Sequence, residues 1–343
     1  MKDILKNITA LNSQAMKEAE ELQKNFIKPL GSLGELERIS IRLAGITGKP
    51  INKIRKKIIC LFGADNGIYD EGVCSSPQEF TMKLMKVYAE KQNAGINILC
   101  RQAGAELKIF DLGVKNLSPC KNIITKKFLP NGTNSFLHER AMSYETAYEV
   151  INFGISVVKD AKNNGVDIIG TGEVGMANTS SACACIMAAL KTFDENLIGR
   201  GAGLDDESFT RKKNVIIQAL KFHEKNLTDP VNIISCVGGL DIAAMTGIFI
   251  GGAFYHVPII IDGVISIAGA LLAYKLEPLI GEYFFASHKS LEPAYKYAAE
   301  YMKLEPSLKL SMRLGEGTGC AIFMQIIDDA LAIINNMGTF EEL

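Results

Sequence analysis

The sequence contains no tryptophan and only 4 histidines, and it lacks an excess of charge of either sign. Its 37 lysines and arginines nearly balance 38 aspartates and glutamates, which leaves a formal net charge of −1. Because nucleic-acid-binding proteins usually carry a basic surface, we expect no nucleic-acid partner. A run of roughly 18 unbroken apolar residues is also missing. The most apolar stretch, residues 242–274, is interrupted by His256, Pro258 and Asp262, so we expect buried core and no membrane span.

The 8 cysteines lack the spacing of a zinc site or of a disulfide framework. We expect them to be small, mostly buried thiols in a reducing compartment. The first residues, MKDILKNITALNSQ, lack the apolar core of a signal peptide. These observations predict a cytoplasmic protein that holds no metal.

Helical patterns begin and end the chain. Residues 3–26 place apolar side chains at roughly helical spacing, which predicts an amphipathic helix. The turn-rich residues 28–34 separate it from a second helix expected around residues 34–47. Residues 318–337 predict a helix at the C-terminus. The composition changes near residue 50, where the helical start gives way to short β-rich runs.

Six short apolar runs, several of them ending in Gly or Asp, predict β-strands. They cover residues 58–63, 107–113, 166–170, 232–239, 257–263 and 282–287. Helical segments lie between most of them, and continuous apolar strands that alternate with helices are typical of a parallel sheet covered on both faces. We therefore expect an α/β fold whose ligands bind beyond the carboxyl ends of the strands.

The loop at residues 170–181 is rich in glycine, with Gly170, Gly172 and Gly175 around Glu173. Such glycines let the backbone approach a ligand, and the start of the following helix offers free N–H groups to an anion. The G-x-G-x-x-G spacing alone is weak evidence for a dinucleotide site. Glu173 would repel a phosphate, so it is either a surface cap or acts on a cationic or proton-bearing group.

Four other loops leave structural and functional interpretations open. Residues 63–77 contain a Gly-bracketed Asp-Asn that is either a turn or part of a site. Residues 199–213 are either a solvated charge cluster or hold a phosphate through a lysine. Glu316, between two glycines, is either favoured by a helix dipole or held at a cleft. Asp262-Gly263 lacks the second acid with which pyrophosphate-dependent phosphoribosyltransferases hold the ribose hydroxyls.

Eight ordered motifs carry a resemblance that runs nearly from end to end. They are KPLGSLGELE (28–37), GADNGIYDEGV (63–73), GTGEVGMANTSSA (170–182), GRGAGLDDES (199–208), VGGLDIAAMTG (237–247), DGVISIAGALLA (262–273), SHKSLEP (287–293) and RLGEGTG (313–319). In these motifs the sequence resembles the nicotinate-nucleotide–dimethylbenzimidazole phosphoribosyltransferase family. The resemblance implies a homodimer. It also implies a large Rossmann-like domain, a parallel sheet flanked by helices over residues 51–317 that carries the active site. A smaller helical domain would form from residues 1–50 and about 318–343.

The same resemblance implies a reaction and roles for individual residues. Nicotinate mononucleotide gives its phosphoribosyl group to 5,6-dimethylbenzimidazole or a related base, which yields an α-ribosyl base 5′-phosphate and nicotinate for cobamide assembly. Glu316 matches the family's catalytic base, and Glu173 matches a glutamate at the active centre. The donor's phosphate and ribose are assigned to Gly175, Asn178, Gly201, Lys212, Ser287, Ser290 and Gly315. The acceptor base is assigned to Asp65, Ser76, Leu84 and Leu314. Arg211 and Lys213 compete with Lys212 for the phosphate.

Elementary chemistry agrees with these roles. The donor's pyridine nitrogen is cationic and leaves neutral, so no general acid is needed. No pyrophosphate leaves, so no magnesium or other cofactor is expected. The acceptor loses its ring N–H proton as it attacks, and a carboxylate whose pKa is raised by an apolar pocket is suited to take it. Nearby carboxylates also stabilise the developing oxocarbenium ion.

Two positions depart from the family pattern. Asn66 stands where a histidine is more usual, and Leu84 stands where a glutamine often lies. Leucine packs against a ring but cannot hydrogen-bond it, so the acceptor need not be dimethylbenzimidazole. Two alternatives stay open. A pyrophosphate-dependent phosphoribosyltransferase would need the missing acid pair, and an inactive nucleotide-binding regulatory protein would be expected to lose Glu173 and Glu316.

Overall fold

A six-stranded parallel sheet lies at the centre of the computed structural model, which describes residues 1–343. The strands are β1 (Lys57–Ala64), β2 (Ala105–Gly113), β3 (Ile123–Thr125), β4 (Ile168–Val174), β5 (Ile259–Ile261) and β6 (Phe284–Ala286). Their order is β3-β2-β1-β4-β5-β6, and every neighbouring pair is parallel. The order reverses between β1 and β4, which opens a crevice at the carboxyl ends of these strands. The expected Rossmann-like α/β fold is confirmed.

Thirteen α-helices surround this sheet. They are α1 (Lys2–Lys6), α2 (Ser13–Asn25), α3 (Glu35–Thr47), α4 (Phe80–Lys86), α5 (Gly95–Ala103), α6 (Tyr144–Asn163), α7 (Asn178–Leu190), α8 (Asp206–His223), α9 (Pro230–Val237), α10 (Leu240–Tyr255), α11 (Val264–Leu276), α12 (Pro293–Tyr301) and α13 (Thr318–Asn336). Helix α10 packs on β1, β4 and α6, while α13 packs on β4, β5 and α5. Nearly all of α10 and α11 is buried, as expected for residues 242–274.

The N-terminal segment is two helices, so the expectation of one helix over residues 3–26 is wrong. Asn12 ends the break between α1 and α2, because its side chain accepts a hydrogen bond from the Ala15 N–H (2.9 Å) and caps α2. Its own N–H donates to the Gly45 carbonyl of α3 (2.9 Å). The polar cap therefore outweighs the apolar periodicity at this point. The helices expected near residues 34–47 and 318–337 are confirmed as α3 and α13.

The chain ends meet in space. Phe26 forms an antiparallel bridge with Thr339, and α3 packs against α13. By length and composition α13 is apolar enough to cross a membrane, but 56% of its apolar window is buried inside the fold. The buried side chains of α2, α3 and α13 belong to the same continuous apolar core as those of the sheet.

Residues 232–239 were expected to form a strand, and this expectation is wrong because Pro230–Val237 is helix α9. Asp229 caps the helix by accepting from the N–H groups of Val231 (3.0 Å) and Asn232 (3.1 Å), and Pro230 occupies the first turn. The apolar spacing also failed to indicate β3, an edge strand of 3 residues.

Candidate active site

A cleft of about 260 Å³ lies at the carboxyl ends of the strands, between the loops that follow β1, β4 and β5. Its wall includes 11 of the residues predicted from the sequence. They are Ser76, Leu84, Glu173, Gly175, Asn178, Gly201, Lys212, Ser290, Leu314, Gly315 and Glu316. The fold thus brings together side chains from distant parts of the chain.

Glu316 stands on a strained turn. Gly315, Glu316 and Gly317 all have positive φ values of 79°, 63° and 85°. This conformation costs a residue with a side chain roughly 1–2 kcal/mol, so surrounding contacts must maintain it. The buried carboxylate of Asp262 does so by accepting from the N–H groups of Gly317 (3.0 Å) and Gly319 (2.8 Å). Asp262 therefore shapes the turn, a role unlike that of a ribose-binding acid.

The β4 backbone lies directly against this turn. A Cβ atom built on Gly172 would come within 2.7 Å of the Glu316 carbonyl oxygen, so only glycine allows the contact. This packing places the Glu316 side chain in the cleft beside Glu173.

Only one of the two oxygens of the Glu316 carboxylate accepts a side-chain hydrogen bond. Its Oε1 accepts a hydrogen bond from the Tyr88 hydroxyl (2.7 Å), whereas its Oε2 is buried without a hydrogen-bond partner. Burial raises the pKa of Glu316, the Tyr88 bond opposes this, and the charge of Asp262 adds to it. A carboxylate with a raised pKa and one unpaired oxygen is a suitable proton acceptor.

Glu173 forms a second acidic group with Asp241, and Asn178 joins the two. The Asn178 amide donates to Glu173 Oε2 and to Asp241 Oδ2 (3.0 Å). All three side chains are buried. Burial, reinforced by the charge of Asp241, raises the pKa of Glu173 to about 8. Burial likewise raises the pKa of Asp241 to about 6. We call Glu173, Asp241, Asp262 and Glu316 the acidic floor.

The end of the cleft formed by α8 and the loop at residues 199–204 is mainly cationic, although it also contains the Glu292 carboxylate, which accepts from the Gly201 N–H (3.0 Å). Lys212 on α8 is buried, and its ammonium donates to the Thr179 hydroxyl of α7 (2.9 Å). Burial lowers the pKa of Lys212, an effect that the charge of Glu292 opposes. Arg313 donates to the Gly201 carbonyl (2.9 Å) at the rim. The N-terminal turn of α7 adds the positive end of a helix dipole.

The structure distinguishes Lys212 from its two neighbours. Arg211 pairs with Glu207 (2.9 Å) and Lys213 pairs with Glu195 (3.6 Å), both on the outside of the protein. Neither side chain lines the cleft. Lys212 is therefore the one of the three that can reach a bound phosphate.

Two predicted residues do not reach the cleft. Asp65 is buried behind the loop, where its Oδ2 accepts from the Lys115 N–H (2.8 Å). The Ser287 hydroxyl donates to the Ile261 carbonyl (2.7 Å) and so ties the end of β6 to β5. Their motif neighbours do line the cleft, among them Ser76 on the first loop and His288 and Ser290 on the second.

The two departures from the family pattern lie in different places. Asn66 is buried behind the glycine-rich loop, where its Oδ1 accepts from the Ser181 hydroxyl (3.1 Å). Leu84 lines the cleft together with Phe80 and Leu314, which are 41% and 59% exposed and leave its mouth apolar. Only the departure at position 84 can therefore contact an acceptor base.

Sequence patterns did not indicate Tyr88, Asp241 or the structural role of Asp262. Asp241 could have been found, because it is a lone acid within the long apolar stretch of α10. Burying a charge is costly, so an acid at such a position indicates a specific partner or function. Tyr88 gave no such signal, since an aromatic residue on a helix is ordinary core.

Comparisons with known proteins identify the family and the fold of the chain. A family model described as phosphoribosyltransferase matches residues 8–343. The chain is 43% identical over 342 residues to the nicotinate-nucleotide–dimethylbenzimidazole phosphoribosyltransferase of Clostridium perfringens, covering 100% of this chain and 94% of that protein. The protein of the same name from Clostridium acetobutylicum is 40% identical over 343 residues, covering 99% and 96%. The crystal structure of CobT from Thermus thermophilus matches with a TM-score of 0.91 at 30% identity, covering 96% of this chain and 98% of that chain.

Proposed function

The chain belongs to the nicotinate-nucleotide–dimethylbenzimidazole phosphoribosyltransferase family, and on this premise we propose how its cleft carries out the transfer. The enzyme moves the phosphoribosyl group of nicotinate mononucleotide to a lower-ligand base during cobamide assembly. One observation supports the mechanism most directly: Glu316 lines the cleft with one oxygen held by Tyr88 and the other without a partner.

The donor lies across the two charged ends of the cleft. Lys212 and Ser290 hold its phosphate near the N-terminus of α7, where charge-assisted hydrogen bonds and the helix dipole favour an anion, and Gly201 borders it. The cationic nicotinate ring faces the acidic floor. Gly175, Asn178 and Gly315 also line the cleft, and we assign the ribose to them.

The acceptor base enters from the apolar mouth, between Leu84, Leu314 and Ser76. As a ring nitrogen of the base attacks C1′, the bond from C1′ to the pyridine nitrogen breaks, and its electron pair leaves with nicotinate. The acceptor's ring N–H proton passes to Glu316. Glu173, with its partner Asp241, stabilises the positive charge that develops at the sugar.

The acceptor range follows from the apolar mouth. Because Leu84 contributes packing and no hydrogen bond, the pocket selects a base mainly by its shape. Other benzimidazoles should therefore be used alongside dimethylbenzimidazole. A strong preference for dimethylbenzimidazole over the other bases in a competition assay with mass detection would contradict this selection by shape.

Replacing Glu316 by glutamine tests the mechanism. Glutamine keeps the size of the side chain but cannot take a proton, so kcat should fall by about 10²- to 10⁴-fold while donor affinity stays within a few-fold. The measurement follows nicotinate release and product mass with a chelator present. Glu305→Gln, at an exposed position, serves as the control and should behave like the wild type.

The same assay separates the alternatives. A pyrophosphate-dependent enzyme would use phosphoribosyl pyrophosphate with magnesium and would ignore nicotinate mononucleotide. An inactive binding protein would form no product with any base. Full activity of Glu316→Gln would remove Glu316 from the role of base.

The assembly and the compartment are part of the same proposal. The chain is expected to act as a homodimer in the cytoplasm, with residues 1–50 and about 318–343 as its smaller helical domain. The 8 free thiols support a reducing compartment. Light scattering on the purified protein measures the assembly, and a monomer at assay concentration would contradict the dimer.

A further inference from the structure

Tyr88 lies on an irregular piece of helix. Helix α4 continues into a π-helical turn, Val87–Lys91, which ends where Gln92 adopts a positive φ of 53° and donates its N–H to the Val87 carbonyl (2.8 Å). Single π-turns are uncommon and often occur at functional sites. The extra residue in this turn changes the direction in which the following side chains point.

Tyr88 is fixed at both of its ends. The Asn97 side chain of α5 donates to the Tyr88 carbonyl (3.0 Å), and the Tyr88 hydroxyl donates to Glu316 Oε1 (2.7 Å). Only 1% of the Tyr88 surface is exposed. Burial, reinforced by the charge of Glu316, holds the pKa of Tyr88 far above its ordinary value, so the phenol stays protonated and can only donate to the carboxylate.

We propose that Tyr88 is a positioning residue for the transfer reaction, because its hydroxyl holds Glu316 Oε1 and so presents Oε2 to the proton of the acceptor base. The inference rests on the role of Glu316 proposed above and adds the group that orients it. A carboxylate that is free to rotate would offer either oxygen, in many directions. One that is held by a rigid phenol offers a single oxygen in one direction.

The surroundings of Glu316 make this bond the main one that favours the ionised carboxylate. From the sheet side Asp262 faces it, with His288 beyond, and Glu173 faces it from β4, with Asp241 behind. Of these groups, the charge of Asp262 opposes the ionisation of Glu316. From α5 only the Ile96 N–H acts in the same direction as Tyr88. No lysine or arginine forms an ion pair with Glu316.

The test is a pH profile of Tyr88→Phe. Phenylalanine keeps the ring but removes the hydrogen bond to Glu316, so the pKa of Glu316 should rise. The acidic limb of the pH profile of kcat should therefore move to higher pH by about one unit. Below that limb, kcat should fall about tenfold relative to the wild type, while KM for nicotinate mononucleotide stays within about twofold. Tyr295→Phe is the matched control, because the Tyr295 hydroxyl is buried without a partner.

Several outcomes would overturn the inference or the mechanism beneath it. An acidic limb at the same pH in Tyr88→Phe and in the wild type overturns the inference. A drop in kcat at all pH values that comes without a shift of the acidic limb also overturns it, because that result would show a structural role only. If Glu316→Gln stays active, the proposed base itself is wrong. An inactive Glu316→Gln beside an unshifted Tyr88→Phe profile overturns only the role of Tyr88.

A second variant covers the case in which Tyr88→Phe unfolds. Incorporating 3,5-difluorotyrosine at position 88 keeps the shape and makes the phenol a stronger hydrogen-bond donor. The acidic limb should then move to lower pH. A limb that does not move, or that moves to higher pH, contradicts the proposal.

Discussion

The two ends of the cleft are built from opposite charges under the same constraint. The acidic floor gathers three buried carboxylates and the partly buried one of Glu316, and desolvation raises the pKa values of all four. At the other end, burial pushes the pKa of Lys212 downward. Without the donor, burial therefore favours the neutral, protonated carboxyl groups at one end and the neutral amine of Lys212 at the other.

In the proposed mechanism, the difference in charge between the two ends determines the orientation of the donor. Nicotinate mononucleotide carries a cationic ring and an anionic phosphate, and one molecule can complement both ends at once. Binding in the correct direction restores the charge at each end, whereas the reverse direction places like charges together. In the proposed mechanism, charge thus orients the donor, and the apolar side chains Leu84, Phe80 and Leu314 receive the acceptor.

The largest effect is expected at the cationic end. Lys212→Met should weaken the binding of nicotinate mononucleotide by about 10- to 100-fold, because a charge-assisted hydrogen bond to the phosphate is lost. The neighbouring Lys213→Met removes an equal charge outside the cleft and should change binding less than about twofold. Calorimetric titration of both variants measures the contrast. Equal losses in the two would mean that general surface charge, and not the buried lysine, holds the phosphate.

A smaller effect is expected at the acidic floor. A bound cationic ring favours the ionised form of Glu173, so binding should release a proton and tighten as pH rises toward about 8. The affinity of the wild type for the donor should rise by up to about tenfold per pH unit, whereas the affinity of Glu173→Gln should lack this pH dependence. Titrations in buffers of different ionisation enthalpy count the protons. Identical proton release by wild type and variant would place the ring elsewhere.

The smallest measured signal is expected in the stability without donor, because a tenfold change in the folding equilibrium moves the Tm of a protein of this size by only about 2 °C. Because the pKa of Glu173 is raised to about 8 from 4.5, the folded protein keeps a proton there that the unfolded chain gives up. This group therefore supports the fold at low pH, and its contribution falls as pH rises from about 4.5 to 8. The loss is at most about 1.4 kcal/mol per pH unit, or about 2 °C in Tm.

Glu173→Gln tests this expectation, because glutamine has no proton to lose. Melting curves at several pH values should fall less steeply for the variant than for the wild type. Parallel curves would show that Glu173 is already ionised in the folded protein.

Helical periodicity in the sequence already separates Lys212 from its neighbours. Lys212 shares one face of α8 with the buried residues Val215, Ile216, Ala219 and Leu220. That spacing alone distinguishes Lys212 from Arg211 and Lys213. The strand expected at 232–239 fails for a similar reason, because Asp229-Pro230 is a start signal for a helix and outweighs the apolar run that follows it.

Other features were beyond local patterns. Asp65 and Ser287 belong to the right motifs, but strand and turn geometry points their side chains away from the cleft. Tyr88 meets Glu316 across 228 residues of sequence. This contact depends on how α4 and its π-turn pack against the Glu316 turn. Local sequence spacing does not predict such a long-range contact.

The most direct test of the polarised cleft is a crystal structure of the protein with nicotinate mononucleotide bound. We expect a phosphate oxygen within hydrogen-bond distance, about 2.7–3.2 Å, of the Lys212 ammonium, with the nicotinate ring over Glu173 and Glu316. A donor bound in the reverse direction, with its phosphate at the acidic floor and its ring beside Lys212, would contradict it.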